Sequence, residues 1–158
     1  MNSRRQLLVV RLGEQLIALH LAAVERVVRM VEITPLPKAP EIVSGVVNMQ
    51  GRIIPVVDIR RRFRLPEREA ALSDQLIVAH TSARAVALVA DAVDGVVEYP
   101  EEEIIACDAI VPGMEYVAGV VKLRDGLTLI HDLDTFLSLE EARSLDEAMG
   151  NVGEPVTK

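Results

Sequence analysis

Aromatic side chains are scarce, with two Phe, two Tyr and no Trp making up 3% of the 158 residues. Such a chain lacks the stacking platforms on which single-strand nucleic-acid binders rely. Cysteine occurs once, at Cys107, which excludes an intramolecular disulfide and any CxxC redox or zinc pair and suits a reducing compartment. No apolar run approaches the roughly 18 residues that span a bilayer. Near the N-terminus the run Leu7-Leu8-Val9-Val10 is broken by Arg11, too early for a secretion signal. The chain reads as cytoplasmic, without direct membrane insertion. Positive charge is also short: 17 Lys and Arg against 24 Asp and Glu leave −7 at pH 7. That field repels phosphate, so protein partners are expected and nucleic acid is not. The nucleophile, zincin and phosphate-loop signatures are missing, and His20, His80 and His131 fall in separate predicted strands without ligand spacing. No enzyme, cofactor or metal is expected.

What the sequence has is Val, Ile and Leu in short runs broken by turn residues, the pattern of buried or half-buried strands. Predicted strands cover 7–12, 16–21, 24–31, 43–49 and 52–58 in the first half, then 75–81, 85–90, 93–99, 117–123 and 127–132 in the second. Gly13-Glu14-Gln15 reads as a three-residue hairpin loop, and Gln50-Gly51 and Asp125-Gly126 as two tighter turns. Pro35, Pro37 and Pro40 force an extended loop, since each removes a donor and restrains its predecessor. Asp58 can cap a short helix through Phe63, and Ser138-Leu139-Glu140-Glu141 opens a C-terminal helix over about 139–149, followed by a frayed tail.

The parallel strand counts reflect an internal repeat. Ile42 to Val47 matches Tyr116 to Val121 at an offset of 74, which also pairs Gly45 with Gly119 and Asp58 with Asp132. Upstream, Ala18-Leu19 matches Ala87-Leu88, and Val24 matches Val93, at an offset of 69. Residues 1–158 therefore read as one domain with two barrel-like five-stranded lobes, about 7–63 and about 75–137. Each is marginal alone and expected to pack on its twin, leaving a cleft between them.

Three constellations have plain structural readings. Asp58 and Asp132 end equivalent strands, which favours N-capping over an acid–base or metal role for His131-Asp132-Leu133-Asp134. Arg60-Arg61-Arg62-Phe63-Arg64, with Arg68, is a basic turn too short to track a phosphate backbone. Met49, at a hairpin tip, is either tucked into the neighbouring lobe or offered to a partner.

The stretch Gly45-Val46-Val47-Asn48-Met49-Gln50-Gly51-Arg52-Ile53-Ile54-Pro55-Val56-Val57-Asp58-Ile59 resembles the G-V-x-N-L-R-G-x-x-x-P-V-x-D-L signature of the CheW family of chemotaxis adaptors. The likeness extends from about Leu7 to Leu137. It implies an all-β, or mainly β, fold of two pseudo-duplicated, intertwined five-stranded SH3-like barrels with short helices and a C-terminal helix. It also implies a non-catalytic scaffold joining the cytoplasmic tip of a methyl-accepting chemoreceptor to the regulatory domain of the histidine kinase CheA, at membrane-associated arrays. By motif, Val24, Val27, Gly45, Asn48 and Gln50 are the receptor-groove positions, with Arg26 and Met49 as further interface candidates. Gly51, Pro55, Asp58, Gly119 and Asp132 are turn and cap positions.

The sequence departs from the family twice. Gln50 replaces the signature arginine, and Arg26 replaces the acidic residue of V-x-E-[IV], so a charge pair expected beside the groove is missing at both ends. That matched loss implies altered receptor choice in a divergent paralogue. The alternative is a small-barrel module binding nucleic acid through Arg60, Arg61 and Arg62, or binding a small ligand.

Overall fold

The computed structural model describes residues 4–62, 66, 71–106, 117–123, 126–133, 137 and 139–153. Phe63, Arg64, Arg68, Cys107, Asp125, Asp134 and Ser138, and the tail beyond 153, lie outside the described residues. Eleven strands run in chain order: β1 (Arg4–Leu12), β2 (Gln15–His20), β3 (Val24–Arg29), β4 (Val43–Met49), β5 (Arg52–Val57), β6 (Gln75–His80), β7 (Ala85–Ala90), β8 (Ala92–Pro100), β9 (Ile105–Ala106), β10 (Val117–Leu123) and β11 (Gly126–His131). A single helical turn, α1 (Ile59–Arg62), follows β5, and α2 (Leu139–Gly153) follows β11. The protein is mainly β, as the sequence pattern requires.

Two sheets form, ordered β8-β1-β2-β11-β10-β9 and β3-β6-β7-β5-β4. Each draws strands from both halves of the chain. The β1–β2 hairpin joins β10 and β11 through a parallel pair, Ile17 opposite Leu129 and Ala18 opposite Ile130. The β6–β7 hairpin joins β4 and β5 in the same way, Ala87 opposite Val56 and Leu88 opposite Val57. Ala18 with Ala87, and Ile130 with Val56, are the pairs that the two repeat offsets predict. The lobe boundaries at 63 and 75 are corrected accordingly: the duplication is real, but its units exchange hairpins, and a cut there divides both sheets. Burial explains the exchange. Along β6, Leu76 and Val78 face one core while Ile77 and Ala79 face another, so the hairpin must be covered on both sides.

Three cores result. Val47, Ile54, Val56, Leu76, Val78 and Ala87 fill the second sheet, and Leu7, Ala18, Val121 and Ile130 fill the first. Between them lies the largest, in which Leu8, Val10, Ile17 and Leu19 of the first sheet meet Val57, Ile77, Val86 and Leu88 of the second. Leu145 and Ala148 of α2 close it.

Local expectations shift in four places. Leu12 pairs with Gln15, so the first turn has two residues, Gly13-Glu14, with Gly13 at φ 62°. Gly126 pairs with Leu123 inside β11 rather than forming part of the turn. Leu21 to Ala23 form a 3-10 turn as the chain leaves the first sheet, ending β2 at His20. Finally, α2 continues past Met149 to Gly153, so the fraying expected from Gly150 does not start there.

Candidate functional site

At the start of β3 the ladder slips by one residue between Val24 and Arg26, leaving Glu25 unpaired in register with β6. The Glu25 side chain turns outward and collects three partners. Arg52, the first residue of β5, donates from Nη1 to both of its carboxylate oxygens at 3.2 and 3.0 Å. The imidazole Nε2 of His80, at the end of β6, lies 2.7 Å from Oε1. The Arg26 guanidinium is 3.7 Å away. Desolvation alone would raise the Glu25 pKa, but hydrogen bonds from His80 and Arg52, with the charge behind them, hold it below the ordinary carboxylate value.

The departures at 26 and 50 stand, and this cluster places another charge pair beside them. A carboxylate and an arginine still join β3 to the β4–β5 hairpin, but they stand at 25 and 52 instead of 26 and 50. The sequence held the signal in Glu25 and Arg52 themselves. Only the bulge, which turns residue 25 out, makes them the pair.

The hairpin tip explains its own residues. Gln50 and Gly51 both take positive φ, 56° and 89°, the conformation a two-residue turn between twisted strands demands. Asn48 Oδ1 accepts the Gly51 N–H at 2.8 Å, so that oxygen braces the turn. Gln50 remains exposed at the apex. Met49 is half-buried against the core of its own sheet, beside the cluster that Val28, Met30 and Ile33 also flank, rather than tucked into the neighbouring lobe.

The groove positions divide. Val24 packs on the central core, while Val27 is 36% exposed, with Ile53 close to the tip at 38%. At Gly45 the missing side chain makes room for the chain's own backbone. A Cβ there would lie 2.3 Å from the Thr34 carbonyl oxygen, because residue 34 crosses β4 and exchanges both backbone bonds with Val46 at 2.8 and 2.7 Å. Gly119 meets the same demand in the twin, where a Cβ would lie 2.9 Å from the Ile105 carbonyl oxygen. Val46 thus spends its own N–H and C=O on Thr34, and its pairing with buried Pro55 needs no donor from the proline.

Asp58 caps as expected, its Oδ1 accepting the Arg60 N–H at 3.0 Å. Two arginines of the basic turn are committed within the chain: Arg60, 11% exposed, donates to Asp91 at 2.6 Å and to the Pro66 carbonyl at 3.2 Å, and Arg61 lies 3.6 Å from Glu41. Arginines so committed form no phosphate track, which weighs against the nucleic-acid alternative. Asp91 also accepts the Gly13 N–H at 2.7 Å, tying α1 to the β1–β2 turn.

The fold gathers what sequence spacing keeps apart. His20, His80 and His131, all three histidines of the chain, line one cavity of about 100 Å³ with Ala23, Asp132 and Leu133. Among the described residues no cluster of His, Cys, Asp or Glu has the arrangement of a metal site. The residues that Asp132 would cap at 134–136 lie outside the described residues; its own place is in this cavity. Among the described residues no helix is long and apolar enough to cross a membrane.

Comparison with known proteins agrees with this architecture. The crystal structure of the scaffolding protein TtCheW from Thermoanaerobacter tengcongensis superposes with a TM-score of 0.78 at 28% identity, covering 89% of this chain and 92% of that one. The chemotaxis protein CheW of Rhizobium meliloti is 29% identical over 142 residues, 89% of this chain and 92% of that protein. The chemotaxis protein CheW of Thermotoga maritima is 30% identical over 132 residues, covering 84% and 87%. With its two exchanged sheets, its signature hairpin and a match over residues 6–141, the chain belongs to the CheW-like domain family.

Proposed function

We propose that this chain is a non-catalytic cytoplasmic scaffold that couples the tip of a chemoreceptor to the regulatory domain of the kinase CheA, and that its receptor-facing site centres on the β3 bulge and the β4–β5 tip. Family membership supports the scaffold role. The observation that carries the site is the Glu25–Arg52 fork, which fastens β3 to the hairpin tip and leaves apolar Val27 and Ile53 exposed beside it. A helical hairpin docks against such a surface through small apolar contacts, while rim charges choose the partner. Gln50, at the apex, contributes a neutral side chain where the family signature has a cation.

Calorimetry of the purified chain against a soluble receptor-tip fragment and, separately, the CheA regulatory domain tests this reading. One-to-one binding to both is expected. Arg52→Gln should weaken the receptor arm about five- to tenfold, in line with the roughly 1 kcal/mol of a rim ion pair, and leave the kinase arm unchanged. Receptor binding that is unaffected in Arg52→Gln and Glu25→Gln moves the site elsewhere. Binding to neither protein overturns the scaffold reading.

A further inference from the structure

The internal repeat supplies a control for every position in the molecule, and the histidine cavity fails to match its twin. At the offsets of 69 and 74, His20 corresponds to Val89 and His131 to Val57. Val57 is 1% exposed and packs in the central core, where the equivalent His131 is 2% exposed. Valine therefore satisfies the fold at these two places, and the imidazoles are not needed to make the strands. His80 corresponds to Arg11, and Asp132 to Asp58. One of the two pseudo-equivalent seams has thus acquired three titratable rings around a single cavity.

The cavity lies on a seam. His20 ends β2 and His131 ends β11, neighbours in the first sheet, whereas His80 ends β6 in the second. We propose that this three-histidine cavity is a proton-sensitive latch between the two sheets, closed while its inner rings, His20 and His131, are neutral and loosened as those two take up protons. The charges that face it decide the direction. Arg5 on β1, itself paired with Glu101 at 3.1 Å, acts on His20 with like charge, and Asp132 is the one carboxylate among the lining residues. Glu25 on β3 is committed to His80, Arg52 and Arg26 at the outer side. Protonating His20 and His131 would place two cations and the field of Arg5 against Asp132 in a space of about 100 Å³. His131 is buried and His20 half-buried, so water screens their charges less than it would at the surface.

His20 shows the penalty already. Its Nδ1 is buried without a hydrogen-bond partner, and burial, then Arg5, push its pKa below the ordinary imidazole value while Asp132 opposes them. A folded-state pKa below the unfolded one means that the unfolded chain binds more protons between the two values. Stability is then level above the unfolded value of about 6.5 and declines as pH falls toward the folded one.

Urea unfolding of the full chain between pH 7.5 and 5.5 tests the latch, comparing wild type with a variant carrying the twin's residues, His20→Val with His131→Val. The wild-type unfolding constant should rise as pH falls through 6.5, by up to about tenfold for each ring that stays unprotonated in the folded state. The double variant should lose most of that rise. Equal pH dependence in the two proteins overturns the proposal. Should the variant not fold, imidazole titration by NMR in the wild type decides. His20 and His131 rings that resist protonation until the resonances of Leu19, Ala79 and Leu133 broaden support the latch. Rings that titrate at the ordinary value with those resonances unchanged refute it.

Discussion

Gly45 and Gly119 answer one steric demand in the two halves, and they show what a residue can and cannot reveal in isolation. Their alignment in the repeat marks both as constrained, but the constraint is the backbone of residues 34 and 105 crossing over them, a contact between segments that no local pattern encodes. Gly45 adds a φ of 154°, which L side chains rarely adopt. Gly45→Ala should therefore cost more than about 2 kcal/mol in urea unfolding, since neither Thr34 nor the strand can yield cheaply. Gly51, with φ 89° but nothing near a Cβ, should lose only about 1 kcal/mol on substitution by Ala. A Gly45→Ala variant as stable as Gly51→Ala would show that the crossing segment moves aside. Glu25 gives the same lesson: its charge is plain in the sequence, and its pairing depends on a bulge that is not.

Elements were the most legible scale. β4, β7 and β10 have the bounds that apolar runs broken by turn residues predict: β4 ends at the Gln50-Gly51 turn, and the largely buried β7 ends before Asp91. Less legible were β9, two residues long, and the end of α2, which continues past Gly150 to Gly153. The function of α2 in the fold rests on its buried face. Leu145 and Ala148 are each 1% exposed in the core shared by both sheets, whereas Asp146 on the outer face pairs with Arg84 of the β6–β7 turn. Leu145→Ala should cost about 2–5 kcal/mol through the cavity it leaves. Arg84→Ala should cost no more than about 1 kcal/mol, since the pair is solvent-facing. Thermal unfolding of the two variants separates these contributions, and a reversed order would place the helix's attachment in its ion pair.

Across the whole molecule, the repeat showed that two similar units exist but not that they trade hairpins. Offsets of 69 and 74 fit contiguous barrels as well as exchanged ones, since both put the same residues at equivalent places. What distinguishes them is the pairing of β2 with β11 and of β7 with β5, each joining segments far apart in the chain. Exchange makes each half an incomplete sheet: the first half has β3, β4 and β5 but lacks the β6–β7 hairpin that lies between β3 and β5. Neither half can bury Val56, Val57 or Ile17 without the other. Because loop closure over such distances precedes the contacts that reward it, folding should also be slow for a chain of this length. A chain divided between residues 66 and 71 provides the test. Each fragment alone should lack cooperative thermal unfolding and dispersed amide resonances, and mixing the two should restore both, at a midpoint that rises with concentration as fragment association requires. Cooperative unfolding by the first fragment alone would mean that it closes a barrel unaided, with the exchanged hairpins contributing stability rather than completing the sheets.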